Sequence, residues 1–367
     1  MAHFDTAAAS TERDYWVALS LAPGIGPVRF KRLLEVCGDA AGAWRASDLQ
    51  LARAGLERRS IDALNALRKH TTPADIGTRL ARRGIQALTL LDPEYPTNVR
   101  QIADAPPVLF VRGQLRQVDD VAVALVGTRR ATPYGLAVAE RLASDLALAG
   151  VTVVSGFARG IDTVAHRAAL DAGGRTLAVL GNGLDQVYPP ANARLASRLI
   201  AAGALLSEFP PGTPPDAVNF PRRNRIIAAL SRATVIVEAG QPSGALITAD
   251  FALEQGRDVM AVPGPIFSPT SAGVNHLLKQ GATPVTEVED ILAGLGVESS
   301  RQTLAQPMPQ LGDQERRVWE ALGGDPRHID DVARSSGCAA GQVAASLAML
   351  EIKGLARHVG SMLYTRA

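Results

Sequence analysis

Between residues 121 and 262 six short apolar runs recur, at 121–126, 151–155, 176–180, 204–207, 234–238 and 259–262. Each is rich in Val, Leu or Ala with scarcely a charge, so neither face of it suits water. Most are followed by a loop and a helical stretch, such as 163–170 or 245–255. A strand apolar on both faces must be covered on both, and helices between mostly parallel strands supply that cover. The expectation is a doubly wound α/β domain with a mostly parallel sheet over residues 73–296.

The flanks follow other rules. Residues 11–21 read as an amphipathic helix that stops at Ala22-Pro23-Gly24-Ile25-Gly26-Pro27, and a second helix spans 28–36 with Gly38 as its stop. Helix, Gly-x-Gly turn, helix is the helix-hairpin-helix pattern, whose backbone N–H groups can face a phosphate. Arg29, Lys31 and Arg32 flank the turn. Two readings stand: a packing turn in a small helical domain over 1–72, or a weak, non-specific DNA contact. At the other end, 297–311 is polar with Pro307 and Pro309 and reads as a linker. Helices at 313–322, 329–335 and 340–353, then a hairpin at 355–365, make 312–367 a winged-helix pattern with Ser336-Gly337 turning before the recognition helix.

A length of 367 residues suits two or three domains, and 47% hydrophobic content can fill their cores. A net charge of +2 is silent on polyanion binding, so charge placement must speak instead. Cys37 and Cys338 stand far apart without a CxxC or Cys/His cluster, so nothing in the sequence supports a disulfide framework or a structural zinc site, and a reducing compartment fits. No run of 18 apolar residues occurs, and residues 1–10 lack a basic start with an apolar stretch. The expectation is a cytoplasmic protein with no membrane partner. Aromatic residues are only 4%, so platforms for stacking bases are few.

In an open parallel sheet, ligands sit beyond the carboxyl ends of the strands, near helix N-termini. Those ends carry Gly127-Thr128-Arg129-Arg130, Gly156-Phe157-Ala158-Arg159-Gly160 and Gln241-Pro242-Ser243-Gly244. Small residues let backbone approach an oxyanion, so three such loops with Arg129, Arg130 and Arg159 predict a phosphate site. A dinucleotide is excluded: Gly181-Asn182-Gly183 follows a strand, but Tyr188-Pro189-Pro190 intervenes before any helix can receive a pyrophosphate. No cofactor is expected.

Residues 220–232 carry Arg222, Arg223, Arg225 and Arg232 and no acid, and begin with Phe220. Pro221 suits a first helical turn, and Ile226, Ile227 and Leu230 would face the sheet. The arginines then either form a phosphate track with Phe220 for stacking, or make a solvated face or internal ion pairs. Asp162 and His166 share a helix face near Ser155, but neither further metal ligands nor a G-x-S-x-G elbow accompany them. Asp162 is read as a helix cap and His166 as a locally bonded side chain; no catalytic or metal-binding residue is assigned.

Together these stretches resemble the DNA-processing protein A (DprA/Smf) family. They are Val126-Gly127-Thr128-Arg129 with Tyr134-Gly135; Ser155-Gly156-Phe157-Ala158-Arg159-Gly160-Ile161-Asp162; Gly181-x-Gly183-x-Asp185-x-x-Tyr188-Pro189; Ser207-Glu208; Phe220-Pro221-x-Arg223-Asn224-Arg225; Glu238-Ala239 with Ser243-Gly244; and Ala261-Val262-Pro263-Gly264. They follow family order over roughly 120 to 285. The flanking pieces match longer members, with a SAM-like or helix-hairpin-helix domain before and a winged helix after. The resemblance implies an extended Rossmann-like fold that binds single-stranded DNA, forms a homodimer and helps load a RecA-type recombinase in natural transformation. It puts a DNA-binding arginine at Arg129 and a basic helix start at Arg222, Arg223 and Arg225. Thr128 keeps the hydroxyl of the family's frequent serine. The expected DNA- and phosphate-binding set is thus Gly127, Thr128, Arg129, Arg130, Ser155, Gly156, Arg159, Gly160, Phe220, Arg222, Arg223, Asn224, Arg225, Ser243 and Gly244.

The alternative is a nucleotide phosphoribohydrolase on a related fold, but Glu238-Ala239-Gly240-Gln241-Pro242-Ser243-Gly244 stands where its PGGxGT loop belongs. Glu238 is expected to be structural, hydrogen-bonded to the Ser243-Gly244 loop. A winged-helix transcription regulator fits less well, since helix 340–353 offers a major groove mainly Gln342, Ser346 and Lys353.

Overall fold

The computed structural model describes residues 10–297, 311–323 and 325–366. In it the chain divides into two compact units, Met1–Ser299 and Ser300–Ala367.

The first unit is built on a sheet of β1 (Gln86–Thr89), β2 (Val108–Gly113), β3 (Ala122–Val126), β4 (Thr152–Ser155), β5 (Thr176–Val179), β6 (Ala204–Ser207), β7 (Ala233–Ile236), β8 (Asp258–Ala261) and β9 (Thr283–Pro284). Their order across the sheet is β1-β2-β6-β5-β4-β3-β7-β8-β9. From β6 to β9 all pairings are parallel; β1–β2 and β2–β6 are antiparallel. All six expected strands form, with ends shifted by a residue or two. The antiparallel edge and the two-residue β9 are additions that the run of apolar segments did not announce.

Every residue of β3 through β7 is buried, and alternation assigns each to a layer. Val123 and Leu125 point to one face, where Leu142, Leu146, Ile161 and Val164 come from helices Pro133–Leu148 and Ile161–Asp171. Ala124 and Val126 point to the other, where Ile226, Ile227, Leu230 and Ala249 come from Asn219–Leu230 and Gly244–Glu254. Each large aliphatic side chain buried this way stabilises the fold by roughly 1.5–3 kcal/mol before the entropy of ordering it is counted.

Helices Glu12–Ser20, Pro27–Cys37, Ala40–Arg45, Asp48–Arg53, Arg58–His70 and Pro73–Ala81 precede the sheet. They do not keep a core to themselves. Trp16, Phe30 and Leu33 belong to one buried cluster with Ala87, Phe110, Ala178 and Leu205 of the sheet, and Arg13 bridges to Asp92 at 2.8 Å. Thr11 caps the first helix with a capping box, and Gly26 with Pro27 opens the second.

The second unit holds helices Asp313–Ala321, Ile329–Ser336 and Ala340–Ile352 with β10 (Arg327–His328), β11 (Ala356–Gly360) and β12 (Leu363–Arg366), in order β10-β12-β11. Val318, Val332, Val343, Leu347 and Leu350 fill its core. This is the winged-helix arrangement. Of the presumed readout residues, Ser346 is buried and the Lys353 ammonium donates to Glu315 at 2.7 Å, leaving Gln342 exposed. The linker expected at 297–311 lies, but for its two end residues, outside the described residues. Among the described residues no helix is long and apolar enough to cross a membrane.

Candidate nucleic-acid interface

The chain runs outward from β3 through β4 and β5 to β6, then returns beside β3 as β7 and continues outward to β8 and β9. The direction reverses between β3 and β7, which opens a crevice beyond their carboxyl ends. A cleft of about 650 Å³ lies there, lined by Gly127 to Arg130, Ala158, Asp162, Tyr188, Phe220, Pro221 and Pro242 to Ala245. A hollow of about 300 Å³ adjoins it, sharing Arg129, Arg130, Ala158, Tyr188 and Phe220 and adding Gly156, Arg159 and Asn182.

Backbone bonds lock the loops after β3, β4 and β7 together. Thr128 N–H donates to the Glu238 carbonyl at 2.7 Å, and Ile161 N–H donates to the Thr128 carbonyl at 3.3 Å. The Thr128 hydroxyl accepts from Arg130 N–H at 3.2 Å. Gly160, at φ 77°, is the N-cap of Ile161–Asp171, and a Cβ there would collide with the Thr128 carbonyl. Glycine is required on both counts. Phe157 also has a positive φ of 62° and is fully buried against His166, a strained position of the sort that collects at binding sites.

Arg129, Arg130 and Arg159 are exposed on this rim. The Arg129 guanidinium lies over the Phe220 ring at 5.2 Å, and the Tyr188 ring is 5.8 Å from that of Phe220. Ser243 caps Gly244–Glu254 by accepting from Ala245 N–H, and Asn224 donates to the Gly244 carbonyl at 3.0 Å. Gly127, Thr128, Arg129, Arg130, Gly156, Arg159, Gly160, Phe220, Asn224, Ser243 and Gly244 therefore gather at one rim.

Other members of the expected set turn inward. Arg223 is 4% exposed; it donates to the Gly156 carbonyl at 2.5 Å and to the Val179 carbonyl, and burial lowers its pKa to about 10. Arg225 is 6% exposed, pairing with Asp104 at 2.7 Å and with both Glu208 oxygens at 2.8 and 2.9 Å. Those carboxylates overcome the burial penalty and raise its pKa. Both arginines are bonded internally, and Arg223 also lines the rim cleft. Helical periodicity contains the signal: Arg223 precedes Ile226 and Ile227 by one turn, on the face that meets the sheet. Ser155 is buried and donates to the Leu125 carbonyl at 2.7 Å. Arg222 alone of that helix start is exposed, yet it faces a different cleft, with its guanidinium 5.6 Å over Phe209.

The titratable groups behind the rim are committed. Asp162 is buried, which raises its pKa against the pull of Arg223, and it accepts from Ala158 N–H at 3.2 Å. His166 is fully buried, with Nδ1 2.6 Å from the Thr176 hydroxyl; burial, then the Arg223 charge, push its pKa down to about 3. Glu238 is 2% exposed and accepts from Thr132 N–H at 2.9 Å and from the Thr270 hydroxyl. This corrects the expected bond to the Ser243-Gly244 loop. β7 ends at Ile236, and the turn beyond it carries Glu238 back towards the start of Pro133–Leu148. Tyr188 was the rim residue the site expectation lacked, although its Tyr-Pro motif was visible. No group of three His, Cys, Asp or Glu suited to a metal occurs among the described residues.

Residues 86–296 match the family model of DNA recombination-mediator protein A, and residues 302–361 match that of the DprA winged helix domain. Protein Smf of Synechocystis is 34% identical over 98% of this chain and 100% of its own length. Putative DNA processing protein DprA of Mycobacterium tuberculosis is 42% identical over 80% of this chain and 82% of its own. The X-ray structure of DNA processing protein A from Streptococcus pneumoniae gives a TM-score of 0.65 at 35% identity, over 76% of this chain and 97% of that one. A structure of DNA processing protein A from Helicobacter pylori, described for its single-stranded DNA binding mode, gives 0.52 at 30%, over 57% and 95%. Two domain matches in the right order and relatives aligned over most of the chain leave one conclusion: this chain belongs to the DNA recombination-mediator protein A family.

Proposed function

We propose that this chain binds single-stranded DNA along the rim beyond β3, β4 and β7, protects it, and assists loading of a RecA-type recombinase in natural transformation. It acts without turning over a nucleotide, as a cytoplasmic homodimer that needs no cofactor. One observation carries the DNA reading: the exposed Arg129 lies 5.2 Å over Phe220, with Tyr188 alongside, in a cleft walled by glycine-bearing loops. The guanidinium suits a phosphate and the rings suit a base, and neither contact reads base identity. A base reaches Phe220 only when it is unpaired, so single strands are favoured over duplex. Arg130 and Arg159 lengthen the positive edge. The single-stranded DNA binding of the Helicobacter pylori relative supports the same assignment. The dimer, the recombinase and the transformation context rest on the family resemblance. Fluorescence anisotropy of the full chain with dT20 and with the dT20·dA20 duplex tests the reading. Tight, salt-sensitive binding of dT20 with weak duplex binding is expected; equal affinity for both, or none, rejects it.

A further inference from the structure

Arg222 is the arginine that the rim cleft leaves unused. A separate cleft of about 780 Å³ lies on the far side of Asn219–Leu230, between the Gly24–Gly26 turn and the loop from Phe209 to Pro214. The wall dividing the two clefts is the first helical turn itself: Phe220 and Pro221 line one, Asn219 and Arg222 the other.

The charges in this second cleft reduce to one. Arg29 is paired with Glu57, and Glu208 is held by both terminal nitrogens of Arg225. Arg222 is exposed, and among the described residues its guanidinium contacts the face of Phe209 rather than a carboxylate. That cation–π contact uses no N–H donor, so the guanidinium can still donate to a phosphate. The rest of the lining is mostly proline, glycine and apolar side chains, including Val28 at 63% exposure, so no unpaired acid opposes a polyanion.

We infer that the bound strand does not end in the rim cleft but crosses Arg222 into this second cleft, so that the N-terminal Gly24–Gly26 turn forms part of the DNA path. The inference rests on the single-strand reading above and adds a subsite to it: the ligand is the next stretch of the same DNA strand, held by phosphate at Arg222. It also selects between the two uses open to the Gly-x-Gly turn, as a packing element or as a DNA contact.

Anisotropy on the full chain with dT6 and dT20 provides the test, using wild type, Arg222→Glu and Val28→Glu. Both positions are exposed, and matched melting curves verify the fold. Each variant is expected to weaken dT20 at least tenfold, with a loss at least five times greater than for dT6. For dT20 the Arg222→Glu salt dependence should be shallower by about 0.7 in log–log slope, the contribution of one phosphate contact. Photocrosslinking of a bromodeoxyuridine-substituted 20-mer should label peptides containing residues 22–29 or 209–214. If wild type binds dT20 while both variants lose nothing, or lose equally on both lengths, and crosslinks stay at 127–130, 188 and 220, the extended path is wrong and the rim reading stands. If wild type binds neither oligonucleotide, the rim reading fails and takes the extension with it.

Discussion

Arg129 leaves the end of β3 exposed over an aromatic ring, whereas Arg225 is 6% exposed between Glu208 and Asp104. Arg129→Ala should leave the melting temperature in place and weaken dT20 binding about ten- to a hundredfold, the range for losing 1.5–3 kcal/mol from a hydrogen bond to a charged group. Unchanged affinity in an anisotropy titration would remove Arg129 from the DNA site. Arg225→Met should do the reverse. It strands the buried Glu208 carboxylate, so chemical denaturation should show a loss of about 3–5 kcal/mol, with affinity of the folded fraction retained. Stability equal to wild type would sink the structural assignment. His166 adds a pH dependence. Its folded pKa of about 3 lies below the unfolded 6.5, so the unfolded chain takes up the proton first. Stability present above 6.5 is then lost as pH falls towards 3. Asp162 works the other way: burial raises its carboxyl, so the native state binds a proton ahead of the unfolded chain and offsets part of the loss in the carboxylate range. Melting temperatures from pH 7 to 5 should fall for wild type and less for His166→Gln, which retains a partner for Thr176. Parallel curves would mean that His166 is not held neutral.

At the scale of elements, β3 through β8 were legible because a strand buried on both faces leaves no polar positions to confuse its pattern. β1 and β2 escaped notice because they join the sheet by antiparallel pairing, β1 with β2 and β2 with β6, and the β2–β6 contact is long-range and leaves little local trace. The rim loops were legible through glycines and arginines at strand ends. Arg223 and Arg225 were not, because an arginine-rich helix start has the same sequence whether its guanidinium groups meet phosphates or the buried carbonyls and carboxylates they meet here. The boundary expected at 72/73 relied on a change of rhythm, while Trp16 and Phe30 share their cluster with Phe110 and Leu205 of the sheet. The winged helix was legible as a fold, and its chemistry is sparse: of its presumed readout residues, Ser346 is buried and Lys353 is bonded to Glu315. Removal of 311–367 should therefore keep dT20 affinity within about threefold of the full chain, a difference of well under 1 kcal/mol. A folded truncation that no longer binds in the same titration would make the winged helix a principal DNA element.

Across the whole molecule 38 basic side chains stand against 36 acidic ones, so a positive rim exists only because nearby acids are occupied. Glu208 and Asp104 are held by Arg225, Asp162 by the Ala158 N–H, and Glu238 by Thr132 and Thr270. Arg129, Arg130, Arg159 and Arg222 remain outward. On the function proposed above, the placement that would make a track for phosphates also ties up the carboxylates that nucleotide chemistry would use. A general acid or base must reach a reacting atom and exchange its proton there. Asp162, the carboxylate that lines the cleft, is buried and accepts from the Ala158 N–H, while Glu238, just beyond β7, is 2% exposed and accepts bonds that fix the start of Pro133–Leu148. Glu238 also sits where a Cβ on Gly135 would strike it, so helix and carboxylate are packed against each other. Purified protein supplied with AMP, other nucleoside monophosphates or ATP should show no base or phosphate release above background by chromatography. Glu238→Gln, which keeps the acceptor for Thr132 and Thr270 at one oxygen only, should lower the melting temperature and leave that background where it was. Turnover in the wild type that vanishes in Glu238→Gln would instead make Glu238 a catalytic residue and this rim the active site of a phosphoribohydrolase.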